Sequence, residues 1–233
     1  PSPHPHPQPN PHPHPHPNPR PGEPLEWAAV PGYPTHLCLA DGELFVAVDG
    51  NSFGPHSTRG DSRIEVLDPC TLQFVRRFGG RGSGRGTLES PKATAVHRGC
   101  CYVADCGNHR VAIFTRAGQF LRSVGDGPGA LPGTLMHPRA IAIVREHLVV
   151  SGYRKERYRA TDEGESYWAS RVIYSLQVLT LSGEARQMLD VKSELFSLRV
   201  INQKLYAPSQ HQVFYWRIHG TPAGDAQTSV CVN

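Results

Sequence analysis

The sequence predicts an all-β protein built from repeated four-stranded units that follow a low-complexity arm, and three observations predict it. Similar segments recur along the chain at a spacing of roughly 45–55 residues. Short runs rich in Val, Ile, Phe and Tyr are interrupted by Gly, Asn and Asp, as strands are interrupted by turns. A hairpin turn predicted at Arg116–Gln119 recurs at Leu181–Glu184.

The arm comprises residues 1–24. Proline occupies every odd position from Pro1 to Pro21, and because proline lacks an N–H and fixes φ, this segment can form neither a helix nor a central strand. We expect a disordered, extended polyproline-II arm. Its five histidines are suited to weak binding of transition metals, although a passive linker is the simpler interpretation.

The composition of the chain is that of a globular protein with a mild positive charge. Its 24 basic and 20 acidic side chains give a net charge of +4, which permits contact with acidic partners but does not by itself indicate nucleic acid. No apolar run approaches the length of a membrane span, so no membrane contact is expected. The chain opens with Pro1, and we expect a fragment or a processed chain. The six cysteines lack a C-x-x-C spacing, which favours reduced thiols in a cytoplasmic protein.

The repeats divide the folded domain, residues 25–233, into four units. Alignment of Pro34 with Pro91 brings the following residues of two units into register, and Pro138 opens a third unit. The predicted units cover residues 34–86, 88–133, 135–193 and 195–220. In the second unit, strands are predicted at Ala93–His97, Cys101–Ala104, Arg110–Thr115 and Phe120–Val124. Four-stranded units with this period are typical of β-propeller blades.

The second unit also carries a family resemblance. It contains "YVADCGNHRVAIFTRAGQFLRSVGDGPGALPG", and the whole of Pro91–Gly133 resembles the NHL repeat. The first unit keeps "VDGN", "SRIEVLD" and "FVRRFGGRGSGRG", whereas the third and fourth units match more weakly. The resemblance implies an NHL-type β-propeller, commonly of six blades. Since the chain supplies about four units, we expect a partial propeller.

The same resemblance implies functions. Similar domains recognise proteins or RNA, for instance in tripartite-motif ubiquitin ligases. We therefore expect a non-catalytic scaffold that binds a protein partner through propeller loops, as the substrate-recognition part of a ubiquitin-ligase-like system. Some related propellers are metal-dependent lyases or hydrolases, and this alternative stays open, with His36 and His137 as its weak candidate ligands. No catalytic residue and no cofactor is expected.

One turn in the second unit allows two interpretations. Asp105, Cys106 and His109 could form a catalytic cluster, which requires a thiol and an imidazole in contact. The alternative is a structural turn made by Asp105, Gly107, Asn108 and Arg110, in which Gly107 adopts an unusual dihedral angle and polar side chains satisfy backbone groups. Because "VDGN" recurs in the first unit without Cys or His, the structural interpretation is favoured.

An insertion in the third unit, at about Arg154–Ser170, is the most distinctive candidate surface. Basic and aromatic residues alternate there, and this composition suits single-stranded RNA because cations meet phosphates and rings stack on bases. The candidate binding residues are Tyr153, Arg154, Lys155, Arg157, Tyr158, Arg159 and Trp168. A solvated insertion without a ligand is the simpler interpretation.

Overall fold

The computed structural model describes residues 28–50, 60–126, 131–162, 165–219 and 229–231. The arm predicted at residues 1–24 lies outside these ranges. The described residues form sixteen β-strands and one 3-10 turn. No helix in these ranges is long and apolar enough to cross a bilayer.

The strands form four sheets of four strands each. The first two sheets contain β1 (Tyr33–Ala40), β2 (Glu43–Asp49), β3 (Arg63–Leu67) and β4 (Phe74–Gly79), then β5 (Pro91–His97), β6 (Cys100–Asp105), β7 (Arg110–Thr115) and β8 (Phe120–Val124). The other two contain β9 (Ala140–Val144), β10 (His147–Asp162), β11 (Glu165–Thr180) and β12 (Ala185–Val191), then β13 (Arg199–Ile201), β14 (Lys204–Pro208), β15 (Val213–His219) and β16 (Ser229–Cys231). Each sheet is an antiparallel meander in chain order.

Strand β7 shows why the middle strands are almost continuously apolar. Val111 and Ile113 belong to a core cluster shared with the third sheet. Ala112 and Phe114 point the other way, into a cluster shared with the first sheet. Because successive side chains of a strand face opposite sides, a sheet buried on both faces needs apolar residues at every position.

The four sheets are arranged like the blades of a propeller. Their first strands are neighbours in the order β1, β5, β9 and β13. Core clusters fill the spaces between the first and second, second and third, and third and fourth sheets. The far side of the first sheet is instead covered by the segment that contains Ala28 and Val30, and a cavity of about 600 Å³ lies between this side and Arg199.

Two features of the structure add to the division into units made from the sequence. The fourth unit, predicted to end at residue 220, also contains β16 (Ser229–Cys231); a three-residue strand behind a polar segment gives little pattern to detect. The insertion predicted at about Arg154–Ser170 is a regular β-hairpin, with β10 and β11 paired from His147↔Thr180 to Asp162↔Glu165. Its outer part is solvated on both faces, so it lacks the alternation of apolar and polar residues that marks a half-buried strand.

Candidate functional site

The turn between β6 and β7 is organised around the buried carboxylate of Asp105. Its side chain is 0% exposed. Oδ1 accepts the backbone N–H of Glu89 at 2.7 Å, and Oδ2 accepts Nδ2 of Asn108 at 2.8 Å and Nε of Arg110 at 2.9 Å. Burial raises the pKa of Asp105, while the donors from Asn108, Glu89 and Arg110 act in the opposite direction. The carboxylate therefore joins three segments of the chain.

Two of these donors also hold the glycine-rich connector Gly79–Gly86 and the residues after it. Asn108 Nδ2 donates to the Gly82 carbonyl at 2.9 Å. Arg110 donates to the carbonyls of Gly84 and Thr87, both at 2.9 Å. These contacts give each polar side chain of the turn a structural partner.

The role predicted for Gly107 needs correction. The left-handed backbone conformation belongs to His109, with φ of 55°, and not to Gly107. Gly107 is instead required by a close approach, since a Cβ atom there would lie 2.6 Å from Cγ of Glu89 and 2.8 Å from its carbonyl oxygen. Its N–H donates to that same carbonyl at 2.8 Å.

Cys106 and the nearby histidines do not have the properties of a nucleophile and its base. Cys106 Sγ lies 4.0 Å from Nδ1 of His137. Burial raises the pKa of Cys106 to about 11, so the thiol is protonated at neutral pH, whereas a reactive cysteine has a lowered pKa. Nδ1 of His109 accepts the backbone N–H of His137 at 3.1 Å. The imidazole of His109 therefore positions the chain between the second and third sheets.

A stack of aromatic rings connects this turn to the hairpin. The His109 and His137 rings meet edge to face at 4.3 Å, and the His137 ring stacks on Tyr153 at 4.6 Å. Burial and the neighbouring His109 and Lys155 lower the pKa of His137. The Tyr153 N–H donates to the Met136 carbonyl at 3.1 Å. The hairpin is thus anchored at its base.

Pairing of β10 with β11 sorts the hairpin side chains onto two faces. Residues directly opposite each other in an antiparallel pair share a face, and residues two positions apart along a strand do so as well. The basic face consists of Tyr153, Lys155, Arg157, Arg159 and Thr161 on β10, with Ser166, Trp168, Ser170, Val172 and Tyr174 on β11. The opposite face includes Arg154, Glu156, Tyr158, Tyr167, Ala169, Arg171 and Ile173.

The two faces differ in electrostatics. On the opposite face, Arg171 pairs with Glu156 at 2.8 Å, and Arg154 lies 3.8 Å from Asp190. The basic face has no acidic residue, and its three cations, Lys155, Arg157 and Arg159, form no ion pair with any part of the chain that the structure describes. Uncompensated charge in a row attracts an anionic partner.

Aromatic side chains accompany these cations. Trp168 is 63% exposed, and the guanidinium of Arg157 lies 5.5 Å from the centre of its ring. At the base of the hairpin, Tyr174 lines a cavity of about 310 Å³ together with Lys192, Glu194 and His211. The basic face therefore runs from an exposed tryptophan to a polar cavity between the third and fourth sheets.

The structure separates the seven candidate binding residues chosen from the sequence. Tyr153, Lys155, Arg157, Arg159 and Trp168 share the basic face, whereas Arg154 and Tyr158 lie on the opposite face. Sequence reasoning missed Tyr174, which pairs with Tyr153. The signal that identifies it is the symmetric spacing of the two tyrosines about Glu163–Gly164 in the sequence.

The two histidines considered as metal ligands have other partners. Nδ1 of His36 accepts the Thr94 N–H at 3.3 Å, and burial, with the charge of Arg199, lowers the pKa of His36 to about 4. His137 is stacked on Tyr153. Among the residues that the structure describes, no group of three or more His, Cys, Asp or Glu side chains is placed to hold a metal ion.

Comparison with known proteins supports the fold and does not extend to a family. No protein-family model matches the chain, and no curated protein matches its sequence. The chain is similar in structure to the computationally designed Ika4 protein, with 14% identity, a TM-score of 0.53 and coverage of 85% of this chain and 99% of that one.

Two further structures show the same kind of likeness. A Bacteroides fragilis protein described as exported has 10% identity and a TM-score of 0.53, over 85% of this chain and 49% of that one. A chain of the nidogen/laminin complex has 14% identity and a TM-score of 0.41, over 79% and 75%. This chain thus spans about half the length of the B. fragilis protein. The fold is all-β and propeller-like by the arrangement of its own four sheets.

Proposed function

We propose that this chain is a non-catalytic binding scaffold, an NHL-type propeller of four blades that displays the basic face of its third-blade hairpin to an acidic protein partner. The observation that carries the proposal is the row of Lys155, Arg157 and Arg159, which is free of acidic neighbours on its face. A rigid scaffold with a projecting element is the usual arrangement for binding residues. The resemblance of Pro91–Gly133 to the NHL repeat supports the same class.

The charges of the hairpin also indicate that the partner surface is negatively charged. Three uncompensated cations on one face of a hairpin repel basic partners and raise the association rate with acidic ones. The ion pairs of Arg171 and Arg154 on the other face reduce its attraction for anions. Binding is therefore expected on one face of the hairpin only.

Single-stranded RNA is the second candidate ligand, and the exposed ring of Trp168 favours it. A tryptophan that is 63% exposed beside Arg157 and Arg159 offers a base a stacking surface and offers phosphates their counter-charges. RNA binding of this kind weakens steeply as salt rises, because phosphate neutralisation releases counterions.

The test compares two charge-matched variants. K155A/R157A removes two cations from the basic face, and R154A/R171A removes two cations from the opposite face of the same hairpin. Each is titrated with a fluorescent polyglutamate peptide and with a fluorescent uridine oligomer, at low and at physiological salt. We expect K155A/R157A to weaken peptide binding about tenfold, since exposed charge pairs contribute up to about 1 kcal/mol each, and R154A/R171A to have little effect.

The outcomes separate the candidates. Preferential loss of peptide binding in K155A/R157A supports the protein scaffold, and preferential loss of RNA binding supports the second candidate. Equal losses in both variants, or wild-type binding in both, would remove the basic face from the proposed function.

A further inference from the structure

We infer that the free edge of β10 is a strand-addition site for an extended acidic segment of a partner protein, with acidic residues at every second position. This inference rests on the proposed function and specifies how the partner is recognised. Its basis is the backbone at the edge of the hairpin, combined with the charges on the basic face.

The edge of β10 is covered only at its beginning. Strand β9 pairs with β10 from His147 to Ser151, and the Tyr153 N–H is taken by the Met136 carbonyl. The lack of a side chain at Gly152 permits this close approach, because a Cβ atom there would lie 2.5 Å from the Met136 carbonyl oxygen. Within the described residues, no strand pairs with this edge beyond Ser151.

The same hydrogen bond fixes which backbone groups are free. Because the Tyr153 N–H points away from β11, and because this direction alternates along an antiparallel strand, the N–H and C=O groups of Lys155, Arg157 and Arg159 also point to the open edge. These are the residues whose side chains form the cationic row. One set of three residues thus offers both backbone hydrogen bonds and positive charge.

An added strand would form backbone hydrogen bonds and charge pairs with the same three residues. In an antiparallel pair, residues directly opposite each other share a face and lie about 5 Å apart. Acidic side chains opposite Lys155, Arg157 and Arg159 would therefore have to occupy alternate positions of the partner, over about 13 Å of strand. Strand addition of this kind takes its affinity from backbone bonds and its specificity from alternate side chains.

A second copy of this chain does not fit the same edge. Two copies of β10 related by a two-fold axis at Arg157 would place Lys155 opposite Arg159 and each Arg157 opposite its equivalent. Like charges directly opposite each other destabilise a strand pair, and charged side chains on an edge are a known barrier to self-association. Charge complementarity therefore selects an acidic partner.

The experiment uses synthetic peptides against the full chain, with affinity measured by fluorescence anisotropy. The alternating peptide has about nine residues, with Glu at every second position and Thr between. A block peptide has the same composition with all Glu residues at one end. Two further versions of the alternating peptide are N-methylated, either at the Glu residues, whose N–H groups would face β10, or at the Thr residues, whose N–H groups would face away.

We expect the alternating peptide to bind about tenfold more tightly than the block peptide, as aligned cross-strand charge pairs each add a modest gain. N-methylation at Glu should weaken binding by at least about tenfold through loss of the strand hydrogen bonds, whereas N-methylation at Thr should not. K155A/R157A should lose the preference for the alternating over the block peptide, and R154A/R171A should retain that preference.

Equal affinities for the alternating and block peptides, or equal effects of the two methylation patterns, would overturn strand addition and leave the hairpin as a charged surface. The proposed function survives that result. Failure of every acidic peptide to bind at low salt would overturn both.

Discussion

Replacement of Asp105 by alanine should be among the most destabilising single changes in the turn between β6 and β7. The mutation removes an acceptor that is 0% exposed and leaves three donors without it: the Glu89 N–H, the Asn108 amide and the Arg110 guanidinium. Since the Arg110 side chain is 11% exposed, a buried positive charge loses its counter-ion.

The magnitude follows from the charge. Removing one partner of a buried ion pair costs about 3–5 kcal/mol. Arg110 keeps the carbonyls of Gly84 and Thr87, which places Asp105→Ala near the lower end, at about 3–4 kcal/mol. For a chain of this length, at about 2–4 °C per kcal/mol, that corresponds to a fall of about 6–16 °C in melting temperature.

The assay is urea unfolding followed by tryptophan fluorescence, with Cys106→Ser as the matched control in the same turn. Cys106→Ser should cost less than about 1 kcal/mol, because the change is nearly isosteric and leaves the hydrogen bonds to Asp105 in place. In a double-mutant cycle, Arg110→Met added to Asp105→Ala should cost less than the sum of the single changes, since the second mutation removes the unpaired charge.

A cost of less than about 1 kcal/mol for Asp105→Ala, or additive effects of Asp105→Ala and Arg110→Met, would contradict the structural role of the Asp105–Arg110 pair. Loss of a binding or chemical activity in Cys106→Ser, at an unchanged melting temperature, would instead revive the catalytic interpretation.

Three further predictions concern stability. The pKa of His36 is about 4 in the folded protein, against about 6.5 in the unfolded chain. The free energy of unfolding is therefore highest above pH 6.5 and falls as the pH is lowered toward 4. Because solvent screens a partly exposed group, we reduce the full linkage value and expect a loss of about 1–2 kcal/mol. His36→Asn keeps an acceptor for the Thr94 N–H and should reduce this loss, as measured by urea unfolding at pH 7.5 and pH 4.5; an unchanged pH dependence would contradict it. Gly107→Val should destabilise by about 1–3 kcal/mol through its clash with Glu89, and a neutral effect in thermal unfolding would show that the turn relaxes freely. Deletion of residues 1–24 should leave the melting temperature unchanged because the arm has almost no apolar surface to bury, and a fall of several degrees would show that it packs on the body.

The sequence was most informative where local pattern and repetition agree. In the second unit, the strands predicted at Arg110–Thr115 and Phe120–Val124 begin and end at the same residues in the structure. Strong apolar runs and a repeated turn mark these strands, because both faces are buried between neighbouring sheets.

The hairpin and the ring stack were not predictable in the same way. Both faces of the outer hairpin are solvated, so its strands have no periodic apolar signal, and only the pairing register assigns Arg154 to one face and Lys155 to the other. The contact between His109 and His137 depends on how the second and third sheets join, and on left-handed φ values at both residues. Neither feature is local in the sequence.

Excision of the outer hairpin tests the proposed binding surface most directly. Residues 155–172 are replaced by Asn-Gly, which joins Arg154 to Ile173 in the register that a two-residue hairpin loop requires. We predict a melting temperature within about 2 °C of the wild type, since none of the removed residues that the structure describes belongs to a core cluster. We also predict loss of acidic-peptide binding. Wild-type affinity for the alternating acidic peptide in the excised variant would contradict the assignment of the binding surface to this hairpin.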